Sequence, residues 1–213
     1  MTLSSKFRSL ANPGLAHIIE VTGRFQDMLS QMPVDMPAVA AFLDDLDHPV
    51  RLAAVRALGQ KHLKNLYDAA QGFRPVNLDD VVPKDLGPGT QVRHYGKNSL
   101  PAFSIFEKRF MRPERDAQEL WGYNFQSMAP LTGPGYFIAR DNPERGEVDV
   151  DYNHVPPESP PGWPAVVENT RGLGRLVYGY MIDRLRGITG EVSIGRAWKK
   201  GKIQNAWFIL CRE

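Results

Sequence analysis

Cysteine is almost absent from this chain. Cys211 is the only one in 213 residues, which excludes an internal disulfide and any cysteine-built zinc cage. It sits in the apolar run "AWFILCRE", where a thiol behaves as a small buried hydrophobe. Histidine is nearly as sparse: His17, His48, His62, His94 and His154 are scattered and never fall at paired ligand spacing, so no metal site and no cofactor are expected. The "GPG" clusters at 87–89 and 133–135 lack the strand, glycine turn and helix order of a phosphate or dinucleotide loop. No apolar run is long enough for a signal peptide or a bilayer span, so no membrane span is expected and the default address is cytoplasmic. An excess of one charge is missing too. Residues 1–75 hold eight Lys and Arg against seven Asp and Glu, and the remainder eighteen against seventeen, so no basic face for nucleic acid is expected.

What the chain does have is a change of period partway along. "NPGLAHIIEVTGRFQDMLSQM" places Asn12 as a cap, Pro13 at a first helical position, and Leu15, Ile18, Ile19, Phe25, Met28 and Leu29 on one face. After "PVDMP" come "AVAAFLDDLD" and "HPVRLAAVRALGQKHLKNLYDAA", whose apolar residues recur at helical spacing and which Gly59 divides. "DHPVRLAAVRALG" resembles one unit of a HEAT-type helical repeat. A solenoid needs several stacked copies and none follows, so a helical hairpin within residues 1–75 is expected. The Pro- and Gly-rich segment 76–89 reads as a linker.

From residue 90 to 213 the period shortens towards two. Seven strands are expected: "QVRHYGK", "FSIFEKRFM", "LWGYNF", "GYFIARD", "EVDVDYNHV", "EVSIGRAW" and "NAWFILCR", with hairpin loops at "NPERG" and "KKGK". One helix near 172–188 interrupts them, because Val177, Met181, Leu185 and Ile188 form a stripe. Before it, "VPPESPPGWPAV" reads as an extended, partly polyproline segment carrying Trp163 over the surface. The fold class is therefore α+β: a helical hairpin or bundle followed by an antiparallel barrel or strongly curved sheet.

Strand alternation sorts the side chains by face. In the second strand Ile105, Glu107, Arg109 and Met111 share one side, and Phe106, Lys108 and Phe110 share the other. Arg109 beside Glu107 offers a planar fork for a polar ligand end. In "LWGYNF", Trp121, Tyr123 and Phe125 share a face, as lining or as core. In "EVDVDYNHV", Val148, Val150, Tyr152 and His154 oppose the acidic residues, which puts Tyr152 and His154 on the buried side as a candidate acid and base. Arg196, among Val192, Ile194 and Trp198, suggests a buried cation or one stacked on an aromatic ring. In "NAWFILCR" either Trp207, Ile209 and Cys211 or Phe208, Leu210 and Arg212 face the core.

The antiparallel run, Trp121 with Gly122 on an early strand, the late helix "RLVYGYMIDRLR", and Arg196 and Arg212 in the closing strands resemble the lipocalin-like, or calycin-type, small barrels. The resemblance implies a barrel that binds a small, largely apolar molecule. Trp121, Tyr123, Tyr136 and Tyr152 are the expected lining, and Arg109 or Arg196 the anchor. Two other functions remain open. One is an enzyme, hydrolase or isomerase, using His154, Tyr152 and Glu107 in the same cavity. The other is an interaction module working through the helices, which also offer a homodimer surface.

Overall fold

The first four helices form a layer, and the strands that follow close into a barrel on which that layer lies. The computed structural model describes residues 13–101, 104–126, 132–170 and 172–213. The helices are α1 (Pro13–Ser30), α2 (Met36–Asp44), α3 (His48–Arg56) and α4 (Gln60–Ala69). Asp35 caps α2 by accepting from the Ala38 amide at 3.0 Å, satisfying one of the donors a helix start leaves open. Gly59 is the N-cap residue of α4, so it does split the long helical run. The expected cap Asn12 lies outside the described residues.

Phe25, Leu29, Val39, Leu43, Val55, Leu63 and Leu66 turn towards one another and are fully buried. This apolar layer continues into Val192, Ile194, Trp207, Ile209 and Cys211, on the outer face of two barrel strands. Burial pushes the Cys211 thiol up to about 11, which leaves it protonated and inert at neutral pH. The apolar face of the Val50–Tyr67 hairpin is thus covered by the barrel: Val55, Leu63, Leu66 and Tyr67 are buried. Leu15 and Ile19 of α1, expected on the apolar face, are exposed.

Eight strands make the barrel: β1 (Val92–Asn98), β2 (Ile105–Met111), β3 (Leu120–Phe125), β4 (Tyr136–Asn142), β5 (Glu147–Asp151), β6 (Met181–Gly187), β7 (Val192–Lys199) and β8 (Lys202–Arg212). Each pairs antiparallel with the next, and β8 pairs back onto β1 with His94 opposite Arg212, so no edge is left open. The β7–β8 hairpin turns on Lys200 and Gly201, both at positive φ (51° and 72°), the backbone that a tight two-residue hairpin turn requires.

The helix expected near 172–188 is a correction. Helix forms only over Gly174–Val177, and Met181–Gly187 is β6. Tyr180, at φ 61°, breaks the helical path just before the strand. Met181, Asp183 and Leu185 face inwards while Arg184 and Arg186 face out. The stripe at 177, 181 and 185 fits a strand as well as a helix, since positions four apart share a face in both. The charge at Asp183, on the inner face, masks the period of two.

Inside the barrel three glycines each stand directly across from a phenylalanine: Gly96 opposite Phe106, Gly122 opposite Phe137, and Gly195 opposite Phe208. Each ring lies where the glycine's Cβ would be, within 2.2 to 2.5 Å of that position. A glycine in a strand ordinarily weakens it, and here a cross-strand ring covers the bare backbone.

The 76–89 segment does more than connect. Asn77 opens a one-turn helix, α5 (Leu78–Val81), through a capping box with Asp80. Val76, Leu78, Val81 and Val82 enter one end of the barrel and pack against its interior residues, including Val92, Phe110 and Leu120. The Leu78 amide donates to Asp141 Oδ1 at 2.8 Å, and Arg112 donates to Asp79 and to the Val82 carbonyl, each at 3.0 Å. His94 completes this stopper. Its Nε2 lies 2.9 Å from the Val81 carbonyl, so Nε2 carries the hydrogen, and its ring meets Phe110 edge-on.

Burial holds His94 well below its usual range, at about 4 rather than 6.5. The folded state therefore resists a proton that the unfolded chain accepts. His94 contributes stability that is whole above pH 6.5 and is lost as the pH falls through about 4. Urea unfolding from pH 7 to 3.5 should show that decline, and a His94→Phe variant should flatten it. An unchanged pH slope in the variant would mean that His94 is not the group responsible.

Candidate functional site

The end of the barrel opposite the stopper opens into a cavity of about 420 Å³. Phe106, Phe208, Tyr178 and Met181 form its apolar walls. Asn98, Gln204 and Asn205 stand at the mouth with Leu100 and Leu176, both exposed. Leu176 and Tyr178 come from the Gly174–Val177 turn and its end. The Lys199 ammonium donates to the Leu176 carbonyl at 2.6 Å, fastening that turn to β7.

Four polar side chains meet in the cavity wall: Lys108 of β2, Asn124 of β3, Tyr152 just beyond β5, and Asp183 of β6. All four are nearly inaccessible, between 1% and 4% exposed. Lys108 Nζ donates to Asp183 Oδ2 at 3.0 Å and to Asn124 Oδ1 at 3.2 Å, and it makes a very short contact with the Tyr152 hydroxyl. The Tyr152 hydroxyl lies 3.2 Å from Asp183 Oδ2 and 3.3 Å from Asn124 Oδ1. Asn124 Nδ2 donates to Tyr152 at 3.0 Å and to the Gly135 carbonyl at 3.4 Å.

The surroundings of the cluster are aromatic. Lys108 Nζ lies 5.0 Å from the Phe137 ring centre, 5.1 Å from Phe208 and 5.8 Å from Phe106. These are the three rings that rest on glycines, so those glycines bring the strands' aromatic groups close around the cation. Tyr178 stacks on Tyr152 at 5.4 Å, and Gln126 donates to its hydroxyl at 2.6 Å.

Burial lowers the Lys108 pKa, and the Asp183 carboxylate opposes that shift. Burial, with the negative charge of Asp183 next, raises Tyr152 well above the ordinary phenol value. Tyr178 is raised to about 12, chiefly by burial. Both tyrosines are therefore neutral donors at physiological pH. The arrangement can hold a polar group at the end of an apolar pocket, and it can hold or pass a proton between an amine, a phenol and a carboxylate.

Of the lining, anchor and acid–base candidates named from sequence, Tyr152 alone lines this cavity. Trp121, Tyr123 and Tyr136 stand on the outer face of β3 and β4. There Trp163 covers them, its ring centre 4.7 Å from Tyr123 and 6.2 Å from Tyr136. The Tyr136 hydroxyl donates to the Pro164 carbonyl at 2.5 Å, so the proline-rich segment is a strap over an outer aromatic patch. Glu107 and Arg109 also face outwards, paired at 2.8 Å, with the guanidinium 3.9 Å over Phe125. Arg196 stacks at 4.7 Å on Trp207 between the barrel and α4, the second of the two alternatives its sequence position offers. His154 departs from the expected buried face. The chain turns after β5, leaving His154 exposed and bonded at 2.7 Å to Asp151.

Lys108, Asn124 and Asp183 were not singled out from the sequence. The signal that marks them is a polar residue where alternation places the core: Lys108 between Phe106 and Phe110, and Asp183 between Met181 and Leu185. Among the described residues no group of three or more His, Cys, Asp or Glu is placed to hold a metal ion. No helix among them is long and apolar enough to cross a membrane.

Taken by architecture, this is an α+β protein built on a closed, antiparallel eight-stranded barrel. Comparison of the chain with protein-family models, with curated proteins and with solved structures finds no match.

Proposed function

We propose that the protein binds a small, largely apolar molecule in its barrel, in the manner of lipocalin-like carriers. The body of the ligand lies against Phe106, Phe208 and Tyr178, and its polar end reaches the Lys108 cluster. The observation that carries this reading is a buried four-residue polar cluster in the wall of an apolar cavity open at one end. That combination gives both an apolar driving force and an anchor for orientation. In this reading Trp121, Tyr123, Tyr136, Arg109 and Arg196, on the outer face, hold the barrel, its strap and its helices together.

Native mass spectrometry of the full chain isolated from expressing cells tests this. One defined molecule is expected above the chain mass, released by denaturing extraction. Ala206→Trp should abolish it, because Ala206 is a half-buried lining residue and a ring there fills the cavity. The absence of any bound molecule, or its persistence in the variant, would remove the reading.

A second reading is favoured by the contact between the Lys108 amine and the Tyr152 hydroxyl: acid and base chemistry on the molecule held there, in a hydrolase or isomerase. His154 and Glu107 have no part in that version, since both stand outside the barrel. Tyr152→Phe should then leave binding in place and remove turnover of the extracted molecule, and retained turnover would dismiss catalysis through Tyr152.

A further inference from the structure

The cluster has a definite hydrogen-bonding balance, and it bears on the chemistry of the ligand. An ammonium has three hydrogens, and Lys108 directs them at Asp183 Oδ2, Asn124 Oδ1 and the Tyr152 oxygen. The single Tyr152 hydrogen has Asp183 Oδ2 and Asn124 Oδ1 as acceptors, both inside the cluster. Both Asn124 amide hydrogens are engaged, by Tyr152 and by the Gly135 carbonyl. Every donor of the cluster is therefore occupied. One acceptor is not: among the described residues Asp183 Oδ1 receives no hydrogen bond, although Asp183 is 4% exposed and lines the cavity.

From this balance we infer that the cavity selects a neutral hydrogen-bond donor, an aromatic or aliphatic hydroxyl compound, whose O–H bonds to Asp183 Oδ1. The inference rests on the binding reading above and gives it a ligand class. A carboxylate at this place would meet Asp183 with like charge and find every donor of the four-residue cluster already engaged, with the charge of Lys108 matched by Asp183. A cationic amine would meet Lys108 with like charge in surroundings of low polarity. An ether or ester offers only acceptors and leaves Oδ1 dry and unpaired. A neutral hydroxyl avoids all three penalties.

Three naphthalene probes of one shape test this on the full chain by calorimetric titration at pH 7: 2-naphthol, 2-methoxynaphthalene and 2-naphthoate. A hydrogen bond to a charged acceptor should make 2-naphthol at least about tenfold tighter than 2-methoxynaphthalene, although the ether is the more apolar of the two. The carboxylate should bind more weakly still. Asp183→Asn should cost 2-naphthol about tenfold and leave the ether little changed. If that variant does not fold, the order of the three affinities in the natural chain decides the matter alone. Equal or tighter binding of the ether or of 2-naphthoate, lost in Ala206→Trp, would overturn the donor inference while leaving the cavity as a binding site. Failure of all three to bind, or binding that Ala206→Trp leaves unchanged, would overturn both.

Discussion

Replacing Lys108 with Met should destabilise the protein by about 3–5 kcal/mol, the usual cost of removing one partner from a buried ion pair. The two side chains are 2% and 5% exposed, so solvent screening cannot soften the loss. Methionine fills much of the lysine's volume. The change is therefore mainly electrostatic: Asp183 loses its cation, and Asn124 and Tyr152 each lose a donor. A double variant, Lys108→Met with Asp183→Leu, should recover much of the loss, because an apolar pair of similar volume often replaces a buried ion pair at little cost. Denaturant unfolding of the natural chain, the two single variants and the double variant closes the cycle. A double variant as unstable as Lys108→Met, or a single loss under about 1 kcal/mol, would show that the pair is not the charged unit the geometry describes.

The second large effect concerns the glycine and phenylalanine pairs. Gly122→Ala should cost about 3 kcal/mol, and Gly195→Ala a similar amount. At Gly122 a Cβ would sit 2.2 Å from the Phe137 ring and 2.7 Å from the Arg109 carbonyl oxygen. The ring is packed against Lys108, Phe110 and Tyr152, and the carbonyl belongs to the β2–β3 ladder and cannot move alone. Gly23→Ala in α1 is the control: nothing lies within 4 Å of its Cβ position, so alanine should stabilise the helix by about 0.5–1 kcal/mol. Thermal unfolding of the three variants gives the comparison. Gly122→Ala and Gly195→Ala proteins as stable as the natural chain would mean that the rings yield freely.

Much of the fold was legible because periodicity reports burial wherever the buried residues are apolar. Seven strands announced themselves in that way, as did the helical run divided at Gly59. β6 did not, and the reason is Asp183: a charge on the inner face disguised a strand as a helix. The same chemistry concealed the site. Alternation separated Lys108 from Glu107 and Arg109 correctly, but a Glu and Arg pair suggests binding more readily than a lone lysine between phenylalanines. The aromatic residues of β3 and β4 form a real cluster, on the outer wall under the strap. Local alternation sorts residues into two faces and does not say which face is the inside of a closed barrel. That information lies in long-range pairing, in the register of β8 on β1 and in Trp163, some 40 positions beyond Trp121 in sequence.

The α5 segment that enters the barrel lies ahead of β1, outside the stretch of chain that forms the staves. A fragment beginning near residue 90 would keep every stave and lose Val76, Leu78, Val81 and Val82, and with them the acceptor for His94. The result would be a tube wet at both ends in place of a cup. Water would then have a route to Lys108 from below, and the separation of its charge from solvent would depend on the aromatic rings alone. The helical layer and the barrel are thus joined through the base of the vessel, and the dryness of the cluster at its heart depends on residues contributed from the chain between them.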